Sequence, residues 1–306
     1  MIEIVSLMLP IFTMIGMGAL FVRQLWFPPD GLPVLNRFVM NVCIPVLLFS
    51  AVINGGSLAT FSWTNAMVYG VSSLLASFLL WAVLRVGLGG LQSQSIILAM
   101  GAGAANSVFL GFPVASMILP ERAAEIFSWV VFGEIAIVFP VITCLAQGFS
   151  NEEEKGLYLI LRALVLNPVS LGLIFGFLFL GSGLSLPTWL QQVVGSIVVA
   201  APFIALFVIG GTLLQFRISR TGPRVAAITF AKLIIHPLCV GAGFIVVFGW
   251  DDAVVREALL FASMPLFLSY VVFAARHDVD EVAASAIVLS TVLGAVSFTV
   301  LLGLLF

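Results

Sequence analysis

The chain has 306 residues, 62% of them hydrophobic and only 8% charged, whereas a soluble domain carries about 25% charged residues. Its 12 Lys and Arg and 14 Asp and Glu are too few to coat a globule of this mass, so the composition describes an integral membrane protein with membrane lipid as its main surroundings. No stretch is long enough for a soluble catalytic domain. A net charge of −2 with scattered arginines excludes a nucleic-acid surface. A transmembrane barrel would read as short alternating segments; the apolar runs here are continuous over about 20 residues or more, the length of a spanning helix.

Taken in chain order, the runs predict ten spans over 3–22, 34–53, 63–84, 94–119, 124–147, 157–181, 188–215, 223–248, 254–275 and 280–305. The first follows Met1-Ile-Glu-Ile-Val, which lacks the positive n-region of a cleavable leader, and is expected to be a retained helix containing Pro10. The second carries Asn41 and Pro45, a polar kink or a contact between helices. The fourth reads Gly101-Ala-Gly-Ala-Ala-Asn-Ser-Val-Phe-Leu-Gly-Phe-Pro113. Pro113 removes a backbone donor and clashes with the preceding turn, and glycine lets the chain leave helical geometry. Non-helical backbone at membrane depth is tolerated only where protein buries it or where it lines a wet cavity.

Glu134 falls near the middle of the fifth span. An ionisable group there costs several kcal/mol, so it is either a proton site or a structural hydrogen-bonding group. The acidic run Glu152-Glu-Glu154, within the midpoint loop from Ser150 to Lys155, reads as a solvated connection. The sixth span holds Asn167-Pro168, a further polar kink or contact between helices, and the seventh holds Pro202 with small residues at Gly195, Ala200, Ala201, Gly210 and Gly211 that allow close helix approach. Lys232 and His236 lie in the eighth span. Lys232 is a counter-charge to Glu134 or to a substrate carboxylate, or else it snorkels to the cytoplasmic side. His236, just before Pro237, suits a packing histidine better than an ion ligand; with Glu134 and Lys232 it completes the candidates for ion coupling.

The ninth span breaks at Ser263-Met-Pro265 and continues through Ser269 and Tyr270. Pro10 and Pro168, Pro45 and Pro202, and the Asn106–Pro113 and Ser263–Pro265 regions correspond at one shift of about 157 residues. This predicts an all-α membrane fold of two inverted five-helix repeats, 1–150 and 151–306, with broken helices 4 and 9. Paired interrupted helices point to a binding site at the membrane midplane. Half-helix N-termini there offer free N–H groups and a positive dipole end, which suits a carboxylate. Asn106, Ser107, Val108, Pro113, Ser263, Pro265, Ser269 and Tyr270 are the candidate substrate-binding residues, and Asn41, Pro45 and Pro202 the helix kinks.

Alternate loops differ in positive charge. Arg23, Arg37, Arg85, Lys155, Arg162, Arg217, Arg220, Arg224 and Arg276 fall on one side, Arg122 and Arg256 on the other. The positive-inside rule then puts the first set in the cytoplasm and both termini outside. Cys43, Cys144 and Cys239 stand one to a span and form neither a disulfide framework nor a metal site. No metal, no cofactor and no catalytic constellation is expected; coupling to H⁺ or Na⁺ stays open.

The passages Leu35-Asn-Arg-Phe-Val-Met-Asn-Val-Cys-Ile-Pro-Val-Leu-Leu-Phe49, Asn106-Ser-Val-Phe-Leu-Gly-Phe-Pro113, Asn167-Pro168 and Lys232-Leu-Ile-Ile-His-Pro237, with the tail through Ala274-Ala-Arg-His-Asp278 and Leu289-Ser-Thr291, resemble the auxin efflux carrier family. Its members include plant auxin exporters and bacterial malonate or malate permeases. The resemblance implies ten helices related to the bile-acid symporter fold. It further implies a scaffold of helices 1, 2, 6 and 7, a mobile transport domain of helices 3–5 and 8–10, a substrate beside Asn106, and a homodimer. Where the family often has two consecutive prolines in helix 9, this chain has Met264-Pro265. The expected function is elevator-type secondary transport of a small organic anion, a mono- or dicarboxylate or an auxin-like acid, across a bacterial inner membrane. The alternatives are a non-transporting receptor for the same ligand and, more remotely, an intramembrane enzyme acting on a lipid.

Overall fold

Proline positions explain much of the local geometry. In the computed structural model, which describes residues 2–54, 61–148, 162, 165–215 and 221–305, four helices widen into a π-helical turn that ends two residues before a proline. These turns are Val39–Cys43 before Pro45, Ser107–Gly111 before Pro113, Glu134–Val138 before Pro140 and Ala231–Ile235 before Pro237. A proline has no N–H for the carbonyl four residues back and collides with it. In each case that carbonyl belongs to the widened turn, which absorbs the collision as a bulge instead of a break.

The helices are α1 (Ile2–Arg23), α2 (Gly31–Asn54), α3 (Trp63–Gly87), α4 (Gln92–Gly103) and α5 (Ser107–Gly111 continued by Phe112–Ile118). Then come α6 (Ala123–Gly133, Glu134–Val138 and Phe139–Gly148), α7 (Pro168–Ser182), α8 (Thr188–Leu213) and α9 (Pro223–Phe248). The chain ends with α10 (Ala253–Ala262), α11 (Tyr270–Ala275) and α12 (Asp280–Leu305). No strand occurs among the described residues. Among the described residues, seven helical segments are long and apolar enough to cross a membrane, with α4 and α5 together as one of them; Leu9–Arg23 and Pro168–Ser182 are shorter apolar helices. The predicted ninth span is two helices, α10 and α11, separated by a non-helical stretch. The acidic run Glu152–Glu154 and the loop charges Lys155, Arg217 and Arg220 lie outside the described residues.

The chain divides into two compact units. The first comprises the described parts of Met1–Ser62, Val108–Trp129 and Val165–Gln215. Within it α1 packs on α8 and α2 on α7. The α1–α8 pair is built on reciprocal glycines: a Cβ on Gly18 would meet the Phe207 carbonyl oxygen at 2.0 Å, and one on Gly210 the Ile15 carbonyl oxygen at 1.8 Å. Gly172 of α7 also packs on backbone, with its hypothetical Cβ 2.5 Å from the Pro45 carbonyl oxygen. Small residues of this kind let helix backbones touch in lipid, where association depends on close packing. Asn167 accepts from the Val169 N–H at 2.9 Å and caps α7 with Pro168 at its first position. Gly183, at φ 68°, ends the helix in the left-handed conformation.

The second unit comprises the described parts of Trp63–Ser107, Val130–Leu164 and Phe216–Phe306. Here α3 packs on α4 and α9, α9 on α10, and α12 on α9 and α11. Every residue from Ser95 to Gly103 is buried. Around them Ile96, Met100, Val138, Ile142, Ile228, Leu266, Tyr270 and Ile287 form one apolar core.

Candidate functional site

The second unit contains both interrupted stretches, and their main chains meet. After α4 ends at Gly103, Ala104 is extended (φ −122°, ψ 135°), and its N–H returns to the Met100 carbonyl at 3.1 Å. The next two N–H groups cannot continue the helix. Buried backbone donors need partners: the Ala105 N–H donates to Glu134 Oε1 at 3.0 Å, and the Asn106 N–H donates to the Pro265 carbonyl at 2.9 Å. The Ser107 hydroxyl then donates to the same Glu134 oxygen at 2.8 Å. On the other stretch the Leu266 N–H donates to Ser290 Oγ at 3.3 Å. The Ser263 hydroxyl turns back to the Leu259 carbonyl, and the Tyr270 hydroxyl donates to the Leu98 carbonyl of α4 at 2.7 Å.

Glu134 is 4% exposed, and its carboxylate meets the donors at the close of the break, the last of them on Ser107, the first residue of α5. The complementary arrangement occurs at the end of α10. His236 Nδ1 is 3.0 Å from the Ala262 carbonyl, the last residue of α10, and 2.7 Å from Lys232 Nζ. Its Nε2 is 2.9 Å from Ser73 Oγ of α3. Lys232 and His236 have no solvent exposure, and Lys232 and Glu134 lie within electrostatic reach of each other. A buried carboxylate therefore serves a helix start, and a buried basic pair serves a helix end.

Asn106, Ser107, Glu134, Lys232, His236, Ser263, Pro265 and Tyr270 are thus all buried in one unit. Ser269 is half-buried just before α11. Tyr270 is buried with its hydroxyl committed to the Leu98 carbonyl of α4. Val108 and Pro113 lie on α5 in the first unit, as do Asn41, Pro45 and Pro202. Asn41 is exposed, and Pro202 sits inside α8 without a widened turn. Sequence reasoning missed Ser73 and the Ala262 carbonyl. The available signal was Ser72-Ser73 with Ser77 one turn on, a small polar stripe in the middle of a mostly apolar helix.

A lipid-length helical chain with two interrupted helices joined at their breaks and charged groups buried beside them defines a membrane transporter. The profile of a family described as "Membrane transport protein" matches residues 3–302, and the chain belongs to this family, that of the auxin efflux carriers. It is also similar to a protein of Rhizobium meliloti (strain 1021) named "Putative malonate transporter", with 26% identity over 314 aligned residues covering 100% of this chain and 96% of the relative. The family and this relative are transporters, not enzymes.

Proposed function

We propose that the protein is a secondary active transporter of a small organic anion, a mono- or dicarboxylate or an auxin-like acid. It works by alternating access of the elevator type in a bacterial inner membrane, with both termini outside. The chain forms two inverted five-helix repeats and assembles as a homodimer. The observation that carries the transport reading is the main-chain bond from Asn106 to Pro265 at 2.9 Å, because crossed interrupted helices are the usual build of a midplane site. Asn106 hydrogen-bonds the solute, with Ser107, Ser263, Pro265 and Ser269 around it. The Rhizobium meliloti relative is named for malonate, and a dicarboxylate fits the same class. Glu134, Lys232 and His236 are the groups available for coupling to H⁺ or Na⁺. The scaffold, made of the first, second, sixth and seventh predicted spans (α1, α2, α7 and α8), stays fixed while the helices of the transport body carry the solute.

Counterflow in proteoliposomes tests this with radiolabelled malonate, malate and indole-acetate. The expected result is saturable counterflow of at least one label by the wild type and its loss in Asn106→Ala. Accumulation of none of the labels by the wild type, or full counterflow in the variant, would overturn the assignment of substrate class or site respectively.

A further inference from the structure

Lys232, His236, Ser73 and the Ala262 carbonyl form a buried chain whose geometry admits two proton arrangements. A ring nitrogen of neutral histidine either carries a hydrogen and donates, or offers a lone pair and accepts. Nδ1 has two neighbours, Lys232 Nζ at 2.7 Å and the Ala262 carbonyl at 3.0 Å. An ammonium on Lys232 has no lone pair, so Nδ1 must accept from it. The ring hydrogen is then on Nε2 and points to Ser73 Oγ at 2.9 Å. With Lys232 as a neutral amine, which has a lone pair of its own, Nδ1 is free to carry the hydrogen and the ring can reverse. Nδ1–H donates to the Ala262 carbonyl, and Nε2 accepts from the Ser73 hydroxyl.

The two arrangements differ by one proton. The net change is the loss of one proton from Lys232 to the aqueous phase. Lys232 gives a proton to Nδ1, Nε2 gives its own to the Ser73 oxygen, and the Ser73 hydroxyl passes its original hydrogen on to water, so the imidazole and the serine are neutral before and after. Only the deprotonated arrangement makes the bond to Ala262, the last residue of α10 before the break at Ser263. We propose that Lys232 and His236 together form a proton-exchange site, in which the ring tautomer carries the charge state of Lys232 to the end of α10. Its use in coupling rests on the transport reading; its chemistry does not.

Other titratable groups near the site are few. Glu134 of α6 lies within electrostatic reach of Lys232, and the Tyr69 ring of α3 is 6.0 Å from the imidazole, edge to face. The helices packed against this part of α9 add Arg85 on α3, Arg256 and Glu257 on α10, and Asp280 and Glu281 in the first turn of α12; α4 has none. On α9 itself the others are Arg224 and Cys239.

The chain has two histidines, so His277→Gln leaves His236 as the single imidazole. His277 contributes its backbone carbonyl to Gln94, which the substitution preserves. Nitrogen-15 labelling of histidine in this variant, in lipid nanodiscs from about pH 5 to about pH 10, reads which ring nitrogen carries hydrogen. The expected result is one step in which the hydrogen moves from Nε2 to Nδ1 as pH rises, with no imidazolium. In the further variant Lys232→Met the ring is expected to hold the Nδ1–H form at every pH. A ring that keeps one tautomer throughout, or that becomes doubly protonated in place of switching, would overturn the proposal, and so would a switch that survives Lys232→Met. The titration without the Lys232 change decides the matter even if the second variant does not fold. It needs no substrate, so its failure is distinct from failure of the counterflow assay.

Discussion

Glu134 shows how one side chain can make an interrupted helix affordable in a membrane. Two donors at the break, the Ala105 N–H that has lost its helical partner and the Ser107 hydroxyl, both end on its Oε1. Removing the acceptor leaves buried donors without partners, at about 1–3 kcal/mol each. Glu134→Ala is therefore expected to destabilise the protein by about 2 kcal/mol or more. Glu134→Gln, which keeps an acceptor oxygen, is expected to cost about 1 kcal/mol or less. Thermal unfolding of both variants in detergent measures the difference; equal losses would show that the carboxylate is not the partner of the break. Glu134 was legible in the sequence as an intramembrane charge, yet its partners were not. The hydrogen bonds join residues 29 and 27 positions apart, and no local pattern fixes such a meeting. Lys232 and His236 were more readable, since an interval of four puts them on one helix face. Ser73, 163 positions from His236, left no comparable trace.

At the scale of elements, prolines and glycines carried the readable information. Gly101 to Pro113 and Ser263 to Pro265 announced the two breaks, and the helices do stop at Gly103 and Ala262. What the sequence did not announce was the form of the other kinks. Asn41, Ser107, Glu134 and Lys232 each lie in a π-helical turn that ends two residues before a proline. Pro10 and Pro202 lie in ordinary helix instead. Asn167-Pro168 looked like a kink within a span and is a helix start. The glycines of α8 separate by what they touch. Gly210 faces the α1 backbone, whereas a Cβ on Gly195 would meet nothing within 4 Å. Gly210→Ala is expected to destabilise by about 1–3 kcal/mol through overpacking. Gly195→Ala is expected to gain about 0.5–1 kcal/mol from helix propensity. Comparing their unfolding midpoints checks the packing of α1 on α8, and a neutral Gly210→Ala would contradict it.

For the whole molecule, the distribution of arginine and lysine between alternate loops predicts the direction of insertion. Gly87, which a Cβ would leave free of contacts, and Asp251 are both exposed, the first at the end of α3 and the second just before α10. In intact cells an impermeant thiol reagent should label Asp251→Cys at once and Gly87→Cys only after lysis. The reverse pattern would invert the orientation, and labelling of both in intact cells would refute the count of ten spans. The all-helical class was legible because lipid-length apolar runs leave little alternative. The grouping of Trp63–Ser107 with segments more than a hundred residues away was not, because packing in lipid depends on shape more than on hydrophobic pattern.

The bond between Asn106 and Pro265 runs from main chain to main chain. Every residue type except proline has the N–H needed at position 106, and every residue type has the carbonyl needed at position 265. The knot between the two broken helices is thus indifferent to side-chain identity, and the side chains beside it are free to vary. Asn106→Ala, the variant of the counterflow test, therefore removes the side chain proposed to meet the solute while leaving the crossing itself in place.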